Sequence, residues 1–128
     1  MQTSARLGFF KLNVPEMASA LGFWREAFGF AVVQSFDEAD FAEHILALPG
    51  QEAGPNLLLV CFKDGRPVAP GPGHGPVGLF CADISASLAQ AVEAGAADLS
   101  GVFTVGPVKV AMLKSPEGHE IELVELPA

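Results

Sequence analysis

Apolar residues fall along this chain in short blocks with two distinct periods. Residues 9–14 (FFKLNV) form a mostly apolar run of strand length. Between 17 and 28, Met17, Leu21, Trp24 and Phe28 recur every three to four positions and make one helical stripe. Gly29 follows, where a residue free to turn left-handed ends a helix. Segments 31–36 and 41–47 read as strands, and 57–62 (LLLVCF) as a continuous apolar strand. Residues 63–76 (KDGRPVAPGPGHGP) break the pattern. Pro67, Pro70, Pro72 and Pro76 withhold backbone donors, so this stretch is neither helix nor central strand but a linker. Then the same order returns: a strand at 77–81, and a helix at 84–94 capped by Asp83, striped by Ile84, Leu88 and Ala91 and stopped by Gly95. Strands at 98–103, 108–114 and 121–126 complete it.

The second half repeats the first. Glu16 falls on Asp83, and Met17, Leu21 and Trp24 fall on Ile84, Leu88 and Ala91, all at an offset of 67. Pro49 and Pro116 keep that offset, while Gly54 and Gly118 are 64 apart, so the whole length difference falls in one turn. Turns are where repeats tolerate insertion. A βαβββ unit covers only one sheet face with its helix, so it needs a partner unit. The expectation is one α+β domain over 1–128: module 1 at about 6–62, linker 63–76, module 2 at about 77–126. The curved mixed sheets of the two modules would pair and form a central cavity.

Composition narrows the function classes. Half the residues are hydrophobic, which excludes a disordered chain. Ten Phe, one Trp and no Tyr make the aromatic bulk apolar, as suits a core or a greasy cavity. A net charge of −8, with seven Lys plus Arg, disfavours nucleic acid and anionic membrane surfaces as partners. Cys61 and Cys81 sit inside apolar runs and read as reduced small hydrophobes. No apolar run approaches the ~20 residues of a membrane span, and residues 1–6 lack the apolar region of a signal peptide. A cytoplasmic setting is expected.

Three stretches resemble the vicinal-oxygen-chelate (glyoxalase/bleomycin resistance protein/extradiol dioxygenase) superfamily: FFKLNVPEMASALGFWREAFGF at 9–30, VGLFCADISASLAQAVEAGA at 77–96 and SPEGHEIELVEL at 115–126. The last is similar to the family's Asp-Pro-x-Gly-x-x-x-Glu-Leu ending, with Ser115 in place of Asp. The superfamily spans lyases such as glyoxalase I, an epimerase, dioxygenases, fosfomycin-inactivating transferases and metal-free bleomycin-binding proteins, so fold alone does not select an activity. Its metal enzymes take one ligand from the first and one from the last strand of each unit. The resemblance places those positions at Phe9, Leu58, Pro76 and Glu122, of which only Glu122 carries a donor. No cofactor is therefore expected. A divalent metal, if bound, would use Glu122 with His74 or His44, and Glu43 and His119 are further donors.

Strand alternation names a cavity lining. Phe9, Lys11 and Asn13 share one face of the first strand, while Phe10, Leu12 and Val14 face the helix. Asn56, Leu58 and Val60, then Phe80 and Glu122, complete an apolar lining with a few polar groups, as in small-molecule sites. Lys11 is the sole charge in its strand, free either to pair with a carboxylate, to meet an anionic ligand or to reach solvent. The reading is a metal-independent protein that binds a small apolar or aromatic organic molecule between its modules. The alternative is a glyoxalase-type lyase or isomerase acting next to a carbonyl, with Glu122 as general base or metal ligand; a dioxygenase or protein-interaction module ranks below both. The resemblance also implies a homodimer.

Overall fold

The computed structural model describes residues 4–128. The elements are β1 (Phe9–Asn13), α1 (Met17–Phe28), β2 (Ala31–Asp37), β3 (Phe41–Ala47), β4 (Asn56–Phe62), β5 (Val77–Phe80), α2 (Ile84–Glu93), β6 (Ala97–Val105), β7 (Val108–Lys114) and β8 (Glu120–Glu125). Two four-stranded mixed sheets result, ordered β1-β4-β3-β2 and β5-β8-β7-β6. The fold is α+β, with two tandem βαβββ modules.

Strand registers reproduce the sequence repeat. Lys11 lies opposite Leu58 in the parallel β1–β4 pair, and Gly78 opposite Glu122 in the β5–β8 pair. Ile45 faces Leu58 across β3–β4, as Met112 faces Glu122 across β7–β8. Ser35–His44 likewise maps onto Val102–Ala111. Each pairing carries the offset of 67 in the first three strands and 64 in the last, so the repeat extends to individual residue pairs.

The helix ends have local causes. The Glu16 carboxylate accepts hydrogen bonds from the backbone N–H groups of Ala18 and Ser19, two donors that have no partner inside α1. Asp83 accepts from Ala86 N–H at 3.2 Å in the same way. Gly29, at φ 82°, closes α1 through bonds to Arg25 and Trp24 carbonyls. α1 packs on β4 and on α2, and α2 packs on β6, β7 and β8. One continuous core thus runs from sheet 1 through both helices to sheet 2, with Trp24, Leu46, Leu59, Ile84, Leu113, Ile121 and Leu123 almost fully buried. Trp24 meets Phe23 and Phe30 edge-on, at 5.3 and 5.8 Å between ring centroids.

Several boundaries shift by one residue from the periodic reading, and two of the differences have a clear cause. Asn56 joins β4 because Phe9 pairs with it. β6 is longer than 98–103, because a register break between Asp98 and Val102 lets the strand continue past it. Asp98 Oδ1 accepts from Ser100 N–H and Gly101 N–H, and Gly101 adopts φ 64°, so the bulge is held by its own side chain.

Candidate functional site

Each sheet has one face against the helices and one turned away from them. On sheet 1 the helix side carries Leu12, Leu46, Leu57 and Leu59, all buried. Alternation puts Phe9, Lys11, Asn13, Glu43, Ile45, Asn56, Leu58 and Val60 on the outer face. On sheet 2 the helix side carries Ala111, Leu113, Ile121 and Leu123, and the outer face carries Gly78, Phe80, Val110, Met112, Glu122 and Val124. Phe9 and Phe80 are 55% and 77% exposed, and Phe36, Phe103 and Val105 stand exposed on the same outer faces.

The predicted lining residues are distributed rather than gathered. Leu58 and Val60 are buried on the outer face of sheet 1, beside half-buried Asn56, whose amide donates to the Leu46 carbonyl at 3.3 Å. Lys11 and Asn13 border a cavity at the junction of the modules, and Phe80 borders a smaller one of about 320 Å³ near the end of α1. Neither cavity is lined by Phe9, Asn56, Leu58, Val60 or Glu122. Glu122 is half-buried beside Gly78, where a Cβ would meet nothing within 4 Å, so no side chain fills the place next to it across the ladder. Phe10 departs from expectation: it shares the side of Leu12 but remains 42% exposed, its ring meeting His74 edge-on at 6.2 Å.

Lys11 pairs within its own sheet. Its Nζ lies 2.8 Å from Oε1 of Glu43, a residue only 7% exposed. That approach lacks hydrogen-bond alignment, so Oε1 keeps unmet hydrogen-bonding capacity. The carboxylate is thus buried on the outer face of an apolar sheet with the Lys11 ammonium as its charge partner. Alternation places Glu43 on the face of Val60, but nothing in the sequence showed that the site would be buried.

The junction cavity, about 680 Å³, lies between β1, residues 66–75 and the β7–β8 turn. Ser115 Oγ accepts from His119 N–H at 3.0 Å, and Ser115 N–H donates to the His119 carbonyl at 2.8 Å, which closes that turn. Burial holds the His119 imidazole below its ordinary pKa, while a hydrogen bond to the Asn13 backbone pulls the other way. Its Nδ1 has no partner among the described residues. Burial raises the nearby Glu117 carboxyl, and the charge of Glu16 adds to the rise. One Glu117 oxygen is also buried without a partner among the described residues.

The donor set does not fit the family's divalent metal. Phe9, Leu58 and Pro76 offer no side-chain donor, and the outer-face neighbours of Glu122 across the ladders are Gly78 and Met112. His44 lies on the helix side of sheet 1, where its Nδ1 is 2.7 Å from Ser35 Oγ, and His74 packs against Phe10. No group of three or more His, Cys, Asp or Glu able to hold a metal occurs among the described residues. Cys61 and Cys81 are free and half-buried. Among the described residues no helix is long and apolar enough to cross a membrane.

Comparison with known proteins agrees with this architecture. A trypanothione-dependent glyoxalase I from Leishmania major superposes with a TM-score of 0.82 at 16% identity, over 95% of this chain and 87% of that one. TnmS3, an antibiotic-binding protein from Streptomyces sp. CB03234, matches over the full length of both chains with a TM-score of 0.74 at 23% identity. Glyoxalase I from Zea mays reaches a TM-score of 0.86 at 16% identity, over 96% of this chain, which spans only 45% of the plant chain. No curated protein matches the sequence significantly. Residues 6–123 match the model of the Glyoxalase/Bleomycin resistance protein/Dioxygenase superfamily, and the chain belongs to that superfamily.

Proposed function

We propose that this chain is a metal-independent binding protein for a small apolar or aromatic organic molecule, held against the outer sheet faces and closed in by a second copy of the chain. The exposed aromatic residues of those faces carry the reading. Phe9, Phe36, Phe80 and Phe103 are all left to solvent by a single chain whose helix-side faces are already filled. Apolar surface in that arrangement marks an interface or a ligand groove. Lys11, Glu43, Asn56 and Glu122 add the few polar groups that orient a ligand. The full-length likeness to an antibiotic-binding protein supports the same reading.

The test uses untagged protein and a series of neutral bicyclic aromatics as probes. Light scattering should report a dimer, and the probes should raise the melting temperature. Phe9→Ala with Phe80→Ala should keep the fold, because both side chains are exposed, yet remove the probe-induced shift. Monomeric protein with no probe response, or an unchanged shift in the double variant, refutes the reading. Stoichiometric metal that survives removal of excess Zn, Ni, Mn or Fe(II), and is lost in Glu122→Ala, refutes metal independence.

One observation favours a second reading. The unfilled place beside half-buried Glu122 would admit a carbonyl compound whose α-proton that carboxylate removes. Turnover or α-proton exchange of an α-hydroxy thioester that vanishes in Glu122→Gln, with binding retained, would establish that lyase or isomerase.

A further inference from the structure

We propose that the junction cavity beneath the proline- and glycine-rich strap is a separate binding site, for a small aromatic carboxylate. It does not rest on the outer-face reading, and Lys11 is the one named group common to both.

Charge distribution points to an anion. The chain carries 15 Asp plus Glu against seven Lys plus Arg, yet three of those seven, Lys11, Arg66 and Lys114, line this one cavity, while Glu120 is the one acid among the described residues that does. Lys11 is engaged by Glu43, and Arg66 by Asp64 at 2.6 Å. Lys114 has no carboxylate within 4 Å among the described residues, although Glu120 is its cross-strand neighbour. A single free cation beside one acid suits a monoanion better than a dianion, which Glu120 would repel.

Wall chemistry points to a planar apolar body. Phe62 is already capped by the Arg66 guanidinium, 3.9 Å above its ring, and Phe10 presents its ring with His74 against its edge. His119, 9% exposed, lines the same cavity, and its Nδ1 has no partner among the described residues. A buried polar atom without a partner is costly unless something outside the chain satisfies it. A bound anion nearby would favour protonation of that nitrogen through its charge. The prolines of the strap restrict its unbound ensemble, which lowers the entropy cost of holding a ligand. At about 680 Å³ the cavity lies within the range of small-molecule sites.

Benzoate is the probe, with benzamide as its neutral counterpart, followed by NMR of the histidine imidazoles. Benzoate should bind saturably with a Kd on the order of 1 mM, a modest affinity suited to so small a ligand. Benzamide should bind at least fivefold more weakly. Lys114→Gln, at an exposed position, should weaken benzoate at least fivefold and leave the fold intact. Saturating benzoate should move the His119 titration to higher pH. Phe9→Ala with Phe80→Ala should leave all of this unchanged, so failure here is distinguishable from failure of the outer-face reading. Absence of saturable binding up to 50 mM, equal affinity in Lys114→Gln, an unmoved His119 titration, or binding lost only in the outer-face double variant would each overturn the proposal.

Discussion

Ser115→Ala tests whether the β7–β8 turn depends on one hydroxyl. Ser115 is 4% exposed and stands where the family ending has Asp. Its Oγ accepts the backbone N–H of His119 at 3.0 Å, a buried bond, while its own N–H and carbonyl bond His119 and Gly118. Alanine keeps the backbone bonds and deletes only the acceptor. The His119 N–H is then buried and unpaired, at a cost of about 1–3 kcal/mol. Water offers little rescue, because the space left by one oxygen is at the lower limit for holding a water molecule. For a domain of this length, each kcal/mol moves the melting temperature by roughly 4 °C, so the expected drop is roughly 4–12 °C. Calorimetry at pH 7 measures it, with Ser115→Asp as the control that keeps an acceptor at the site. A Ser115→Ala protein melting within 1 °C of the parent would show that the hydroxyl does not hold the turn.

Further outcomes follow from the same region. The Glu117 pKa is raised in the folded protein, so its stabilising contribution is present below the ordinary carboxylate value and is lost as pH rises through the folded value. Glu117→Gln should therefore be more stable than the parent at pH 7, with the advantage vanishing toward pH 4; urea midpoints across that range measure it, and equal midpoints throughout would contradict the burial argument. Gly95 has φ 121°, and a Cβ there would lie 3.3 Å from Pro116 Cγ. Gly95→Ala should cost about 1–3 kcal/mol through backbone strain, read as a lowered urea midpoint, and a neutral effect would mean the α2–β6 turn relaxes freely.

Nearly every element, and the repeat itself, were legible in the sequence. Short apolar runs and the stripes of α1 and α2 are local signals, and hydrophobic periodicity reports them directly. The repeat was legible because both halves meet the same packing problem, so Glu16 and Asp83, Pro49 and Pro116, recur at one spacing. The β6 bulge was not legible, because Asp98 holds it through a turn that leaves no apolar trace.

The site was legible only in part. Alternation separated the outer face from the helix side of each strand, and Leu58, Val60, Leu12 and Val14 are buried accordingly. It could not say what covers each face, because burial depends on residues far apart in the chain. Alternation set Phe9 toward a cavity and Phe10 toward the helix, yet Phe9 stands on an open sheet face and Phe10 borders the junction cavity. Lys11 meets Glu43 only because β4 brings β1 and β3 within reach of each other. His119 and His74, loop residues without a periodic signal, reach the same cavity because the strap and the β7–β8 turn converge there. The sequence by itself determined the elements, their order, their duplication and the two faces of each strand, since those follow from local propensity and spacing. Only the tertiary structure decided which faces stay open and which charges meet, because those depend on long-range pairing that a one-dimensional pattern does not encode.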